Sequence, residues 1–333
     1  MKVFVSVPKN NEIMDTFFPE NVKKYLESRF ETEYCPYDRM LTGEEFPQMT
    51  KDFDAVITCW GHPHISYDML RGGRVRLIAH TGGSVGSLVD ESVYAGGIKV
   101  ISGNLMYAES VAEGVIAYML TGLRKIPDYV NRVREGKWRV AGDYSEGLLD
   151  RSVGIIGMGT ISKLLVKMLQ IFNADIKIYS GHTIDREFLE RYSAEQVSLE
   201  EALKCDIVSL HSAMNERTRG MIGKEQLALI KDGALFLNTA RGAIVDEKAM
   251  IEELKRNRFR AVLDVFCSEP LEEDSELRRM ENVYCIPHMA GPTVDRRAAI
   301  TKRLADNIIK FENGEQMELE IKKEAACRMT VGG

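Results

Sequence analysis

Two doubly wound α/β domains, each a parallel sheet flanked by helices, are the fold class this sequence predicts. Three observations carry that prediction. Strand-like and helix-like runs alternate along nearly the whole length, the signature of parallel sheets with helical crossovers. The strand candidates fall into two series, one ending near Ser102 and the next starting at Val153. The second series opens on a glycine turn, Gly157-Met158-Gly159, set between a strand and a helix. A chain of 333 residues suits two domains and can bury two cores.

The first series has β-like runs at Lys2–Val7, Glu31–Cys35, Asp54–Cys59, Arg76–His80 and Lys99–Ser102. Helix-like runs such as Asn21–Phe30 lie between them, giving a five-stranded α/β unit. Glu109–Arg124 has amphipathic helical spacing and is expected to bridge the domains. Arg134–Asp150 is polar and contains glycine, so it reads as a loop or arm with Trp138 as its anchor. The second series runs Val153–Ile156, Ile176–Tyr179, Ile207–Leu210, Ala234–Asn238, Ala261–Asp264 and Val283–Ile286. Six such strands with intervening helices fit a doubly wound dinucleotide fold. After Pro292, Arg296–Asn313 places Ile300, Leu304, Ile308 and Phe311 on one helical face and is expected to return to the first domain. Past Gly314 the residues are charged without clear pattern, and a frayed tail is expected.

Composition excludes several classes. Formal net charge is −6 and the basic residues form no stripe, which argues against nucleic acid or anionic membrane as partners. No apolar run approaches the ~20 residues of a membrane helix. Met1–Pro8 reads as a strand rather than a secretory signal. The cysteines at 35, 59, 205, 267, 285 and 327 form no CxxC pair, which fits free thiols in a reducing cytoplasm.

Around the glycine turn a buried strand, Val153–Ile156, ends in a tight turn at Gly157. A helix is expected to start near Thr160 and Ile161. Gly159 has no Cβ, so the backbone can approach a pyrophosphate, and the helix N-terminus offers free N–H groups and the positive end of its dipole. Ser162 holds the third glycine position, small enough to pack with some discomfort. An acidic residue about 20 residues on would hold the adenosine ribose. The second strand instead ends Ser180-Gly181-His182-Thr183. Two readings stay open: NADP(H) is accepted, with Ser180, His182 and Thr183 donating to a 2′-phosphate, or the site is a relaxed NAD site.

Three later strand ends carry Arg241, Glu269 and His288. Ligands of open parallel sheets bind at the carboxyl ends of strands, so these side chains are delivered toward one cleft. Reducing a ketone with hydride needs a proton for the oxygen, which a histidine supplies near neutral pH. A carboxylate beside it stabilises the imidazolium. An arginine grips a carboxylate and polarises the adjacent carbonyl. Singly these residues read as a surface ion-pair partner, a turn residue and a half-buried histidine; in this order, on this scaffold, the joint reading is favoured.

At this point the chain resembles the D-isomer-specific 2-hydroxyacid dehydrogenase family, most strongly from Val111 to Ala299. The resemblance rests on Val111-Ala112-Glu113, the glycine turn, Leu210-His211-Ser212, Asn238-Thr239-Ala240-Arg241-Gly242, Asp264, Glu269-Pro270 and Pro287-His288. It implies a flavodoxin-like substrate domain, discontinuous over 1–106 and 292–333, a Rossmann domain over 107–291, and a cleft between them. It also implies that Arg241 binds the substrate carboxylate and carbonyl, and that His288 is general acid in reduction and base in oxidation. Glu269 would orient His288. Asp264 would hold the nicotinamide carboxamide, and Thr239 and His211 would line the cofactor site. Formate dehydrogenases of related build lack the acid at 269. A homodimer through the cofactor domain and the arm is a further implication.

The match is weaker in the first domain. Where many relatives read R-x-G-x-G-x-D, this chain reads His80-Thr81-Gly82-Gly83-Ser84-Val85-Gly86. Gly82, Gly83 and Ser84 still suit an N–H nest for a carboxylate, with the glycines giving φ freedom. His80 either faces the substrate or merely ends a strand. Trp60 either walls the pocket or anchors its loop. His62 and His64 resemble two metal ligands, but no third ligand recurs nearby and no metal is expected. Tyr107, Met106 and Met289 are weaker pocket candidates. A dinucleotide-sensing corepressor or scaffold with little turnover is the competing function.

Overall fold

The computed structural model describes residues 1–329. It divides into two compact units, Met1–Ala108 with Pro292 onward, and Glu109–Gly291. The expected extent of the first domain to residue 333 includes four residues outside the described ones.

The first unit begins β1 (Lys2–Val5), α1 (Glu12–Phe17), α2 (Glu20–Glu27), β2 (Glu31–Tyr34), α3 (Glu45–Thr50) and β3 (Ala55–Thr58). It continues α4 (Tyr67–Leu70), β4 (Leu77–His80), α5 (Glu91–Ala95) and β5 (Lys99–Ser102). All strand pairs are parallel, in the order β2-β1-β3-β4-β5. That is the flavodoxin-like order. Successive residues of β1 face opposite sides. Val3 and Val5 pack with Phe17, Leu26 and Ile57, while Phe4 packs with Phe46, Val56 and Ile78. Asn11 and Asp90 start α1 and α5 by accepting from Met14 N and Ser92 N.

α6 (Asn104–Arg124) carries the chain across the unit boundary. The second unit adds α7 (Ile126–Arg134), β6 (Ser152–Ile156), α8 (Thr160–Leu169), β7 (Asp175–Tyr179), α9 (Arg186–Arg191) and β8 (Ala194–Gln196). Then follow α10 (Leu199–Leu203), β9 (Ile207–Leu210), α11 (Lys224–Leu229), β10 (Leu235–Asn238), α12 (Glu247–Lys255), β11 (Arg260–Leu263) and β12 (Val283–Cys285). The order β12-β11-β10-β9-β6-β7-β8 is parallel throughout and contains the doubly wound dinucleotide-binding order. Val153 and Ile155 pack on one face with Leu165, Leu235 and Leu237, and Ile156 packs on the other with Val208, Leu210 and Phe236.

α13 (Val294–Glu312) and α14 (Lys323–Ala326) return to the first unit. Ile300, Leu304 and Ile308 are fully buried in its core.

Three expectations need correction. The second sheet has a seventh strand, β8, paired with β7. Trp138 is 76% exposed and so is not a buried anchor for its arm. The segment after Gly314 is docked through its described length. Glu320 bridges antiparallel to Ile101, Ser102 N donates to Leu319 O, and Met317 and Leu319 are buried. Its register is held by Asn307, whose Oδ1 accepts from Leu319 N at 3.1 Å.

Candidate active site

The glycine turn has the shape a dinucleotide needs. Gly157 takes φ +103°, and a Cβ there would lie 2.6 Å from Ser212 N. Only glycine satisfies both constraints. Gly159, Thr160 and Ile161 open α8, and no side chain among the described residues caps that helix. Space beside Gly159 is open, with nothing within 4 Å of an added Cβ. Met158 packs against the core below. The first N–H groups of a ten-residue helix thus face open space, a fit for a pyrophosphate. Ser162 is not in discomfort: it is fully buried and its hydroxyl donates to Gly157 O at 2.7 Å.

Loops after neighbouring strands close on the same turn. His211 N and Ser212 Oγ both donate to Ile156 O, at 2.8 and 3.2 Å. The His211 ring meets Ser209 Oγ at 2.8 Å, and burial pushes its imidazole down to about 4. After β7, Ser180 Oγ accepts from His182 N, and the segment is braced by Gln196 of β8 through His182 O and Ile184 N. No carboxylate ends β7; Asp185 instead caps α9.

Arg241 follows β10. Asn238 shapes its loop, accepting from Ala240 N and donating to Arg241 O, both at 3.0 Å. The guanidinium donates through Nη1 to Ala240 O at 2.6 Å. Its Nε, like Thr239 Oγ1, is buried with no partner among the described residues. Burial lowers the proton affinity of Arg241, and Glu269 opposes that shift. Unpaired buried donors of this kind are costly unless a ligand completes them.

His288 Nδ1 meets Glu269 Oε2 at 2.7 Å. Glu269 Oε1 accepts from Phe266 N at 3.0 Å, which fixes the carboxylate. The imidazole is half exposed, and its backbone takes φ +53°. Asp264 is tied into the protein itself. Its carboxylate is 1% exposed and accepts from Tyr118 OH, Met289 N and Ala290 N at 3.0, 2.7 and 3.0 Å. Three donors from the protein therefore fix this carboxylate in place. Met289 is exposed.

In the first unit, Gly82 and Gly83 follow β4. Neither takes a left-handed φ, so they do not supply the expected φ freedom; they supply room. A Cβ on Gly82 would lie 2.3 Å from His80 Nε2, and one on Gly83 3.2 Å from the Tyr107 ring. Ser84 Oγ accepts from Gly86 N. His80 ends β4 as a buried residue, its Nδ1 2.9 Å from Thr58 Oγ1, and burial pushes it down to about 3. Trp60 meets Phe17 and Tyr107 edge-on, at 5.1 and 5.8 Å, with Arg297 5.3 Å from its ring. His62 and His64 take separate partners, Ser6 and Asp90. Met106 is core.

Sequence reasoning gave Asn238 no role of its own and passed over Tyr118. A tyrosine on a helix needing a home for its hydroxyl was the available signal.

Comparison with known proteins agrees with this geometry. Residues 116–290 match the family model described as D-isomer specific 2-hydroxyacid dehydrogenase, NAD binding domain. A glyoxylate reductase of Korarchaeum cryptofilum is 31% identical over 304 residues, covering 89% of this chain and 91% of that protein. A D-3-phosphoglycerate dehydrogenase of Methanocaldococcus jannaschii is 32% identical over 303 residues, covering 90% of this chain but 57% of that protein. The crystal structure of a glyoxylate reductase from Paecilomyes thermophila shares the fold, with a TM-score of 0.78 at 23% identity over 97% of this chain and 99% of that one. No helix among the described residues is long and apolar enough to cross a membrane. The chain belongs to the D-isomer-specific 2-hydroxyacid dehydrogenases, NAD(P)-dependent oxidoreductases of 2-hydroxy acids.

Proposed function

We propose that this chain acts mainly as a 2-oxo acid reductase, interconverting a small 2-oxo acid and its D-2-hydroxy acid. The observation that carries the reading is the His288–Glu269 pair, in the same unit as an Arg241 whose buried Nε has no partner among the described residues. When bound, the nicotinamide cofactor supplies or accepts the hydride. His288 gives a proton to the carbonyl oxygen in reduction and takes it back in oxidation. Glu269 accepts from Nδ1, fixing the tautomer that leaves Nε2 for the substrate. Arg241 holds the substrate carboxylate and polarises the carbonyl beside it.

The second unit holds the cofactor, with Gly157, Met158, Gly159, Thr160 and Ile161 around the pyrophosphate and His211 and Thr239 nearby. Asp264, with acceptor capacity beyond its three protein donors, holds the carboxamide. Gly82, Gly83, Ser84 and Trp60 are assigned to substrate from their place after β3 and β4, since open parallel sheets bind ligands at strand carboxyl ends. NADP(H) is accepted, because Ser180, His182 and Thr183 offer hydrogen bonds where a carboxylate would repel a 2′-phosphate. NADPH binding far weaker than NADH binding would overturn that choice. The chain works in the cytoplasm as a homodimer. α7 has no buried residue, and Val133, Trp138, Val140, Tyr144 and Leu149 are exposed. Light scattering that shows only monomer overturns the dimer. A corepressor role is not favoured, because the relatives are named for turnover and the Arg–Glu–His set is complete.

A panel of 2-oxo acids, followed by NAD(P)H absorbance, tests the reading. His288→Gln is expected to lower turnover by about a hundredfold or more with cofactor affinity nearly unchanged. Retained turnover removes His288 from its role.

A further inference from the structure

The turn that presents His288 is held from one side by a single buried group. Asp264 O accepts from His288 N at 2.9 Å, and its carboxylate accepts from the next two amides, Met289 N and Ala290 N. A non-glycine residue at φ +53° is strained and persists only where its surroundings over-determine it. Asp264 does so here.

Asp264 is itself held from α6. Tyr118 donates its hydroxyl to Oδ1, the oxygen that also accepts from Met289 N. One helical turn earlier, Gly114 lies against the same turn, a Cβ there being 3.5 Å from both Ala290 Cα and Ala290 O. Residues four apart share a helix face, so one face of α6 meets both the buried carboxylate and the turn it grips. Burial and the carboxylate push the Tyr118 phenol well above its ordinary value, so it stays a donor throughout the working range.

We propose that Tyr118 is a positioning residue for the reaction, acting through Asp264 to fix the turn that aims His288 at Glu269 and the substrate. The inference rests on His288 being the general acid and base. Removing the phenol leaves Asp264 Oδ1 with Met289 N alone, and the turn gains freedom. The imidazole then loses part of its contact with Glu269 and is aimed less firmly at the substrate.

Tyr118→Phe keeps the ring and removes one oxygen. The expected result is a kcat for 2-oxo acid reduction about tenfold lower, with KM for the acid within about twofold. The shape of the kcat/KM–pH profile should change, which mere loss of stability would not produce. Amide exchange at Met289 and Ala290, measured well below the thermal transition, should be faster than in the parent. Unchanged kcat and pH profile overturn the proposal. So does parent-like protection of those two amides, even in a variant of lowered stability. If His288→Gln retains turnover the functional reading fails, while the exchange measurement still judges the tie between Tyr118 and the turn.

Discussion

Ser162 stands where the dinucleotide fingerprint carries a glycine, and restoring that glycine is expected to harm the protein. The serine is fully buried and donates to Gly157 O across 2.7 Å. In Ser162→Ala the bond is lost and the part-buried carbonyl loses that donor, at a cost of about 1–2 kcal/mol. Ser162→Gly adds roughly 1 kcal/mol for glycine in a helix. The order of stability should therefore be parent, alanine, glycine, spread over about 2–3 kcal/mol. Because the bond also pins the turn that receives the pyrophosphate, cofactor affinity should fall by up to about tenfold, the equivalent of about 1.4 kcal/mol. Urea unfolding with and without NADPH is the assay. The transition that the cofactor shifts belongs to the unit that binds it, and an unchanged m-value licenses the comparison. A glycine variant as stable as the parent, or one that binds cofactor more tightly, would refute the reasoning.

Two further outcomes follow from burial. His80 is buried and neutral, pushed down to about 3 from an unfolded value near 6.5. Its contribution is present above about pH 6.5 and lost as the pH falls towards 3, with a slope of up to about 1.4 kcal/mol per pH unit. Comparing pH–stability curves of the parent and His80→Gln should show a shallower acid fall in the variant; parallel curves refute it. Truncation after Gly314 removes the burial of Met317 and Leu319 and the bridge to Ile101. At about 2 kcal/mol per large apolar side chain, the first unit should lose about 4 kcal/mol and melt earlier in calorimetry; an unchanged melt refutes it.

The strands were legible because most are short, largely buried apolar runs. β3, β4, β9 and β10 are buried at every position. β8 escaped because it is three residues, Ala-Glu-Gln, at the edge of a sheet. α7 escaped because it buries none of its residues, so no apolar stripe faces a core. The docked tail did carry a signal: Met317-Glu318-Leu319-Glu320-Ile321 alternates apolar and charged residues, the period of a strand. Its charge hid the alternation. Arg241, Glu269 and His288 were readable because strand-end positions and residue chemistry both select them. The ties that aim them were not. Tyr118 and Asp264 are 146 residues apart, and no local pattern announces such a pair.

The discontinuity of the first unit bears on how the protein is made. A ribosome releases residues 1–108 first, yet the helix that covers their sheet, with Ile300, Leu304 and Ile308, is encoded after roughly 180 further residues. At about 5–20 residues per second, the unfinished sheet waits on the order of ten to forty seconds. The second unit, contiguous in sequence, can fold during that interval. The nascent 1–108 segment therefore spends its wait with an apolar face uncovered, a natural client for a chaperone.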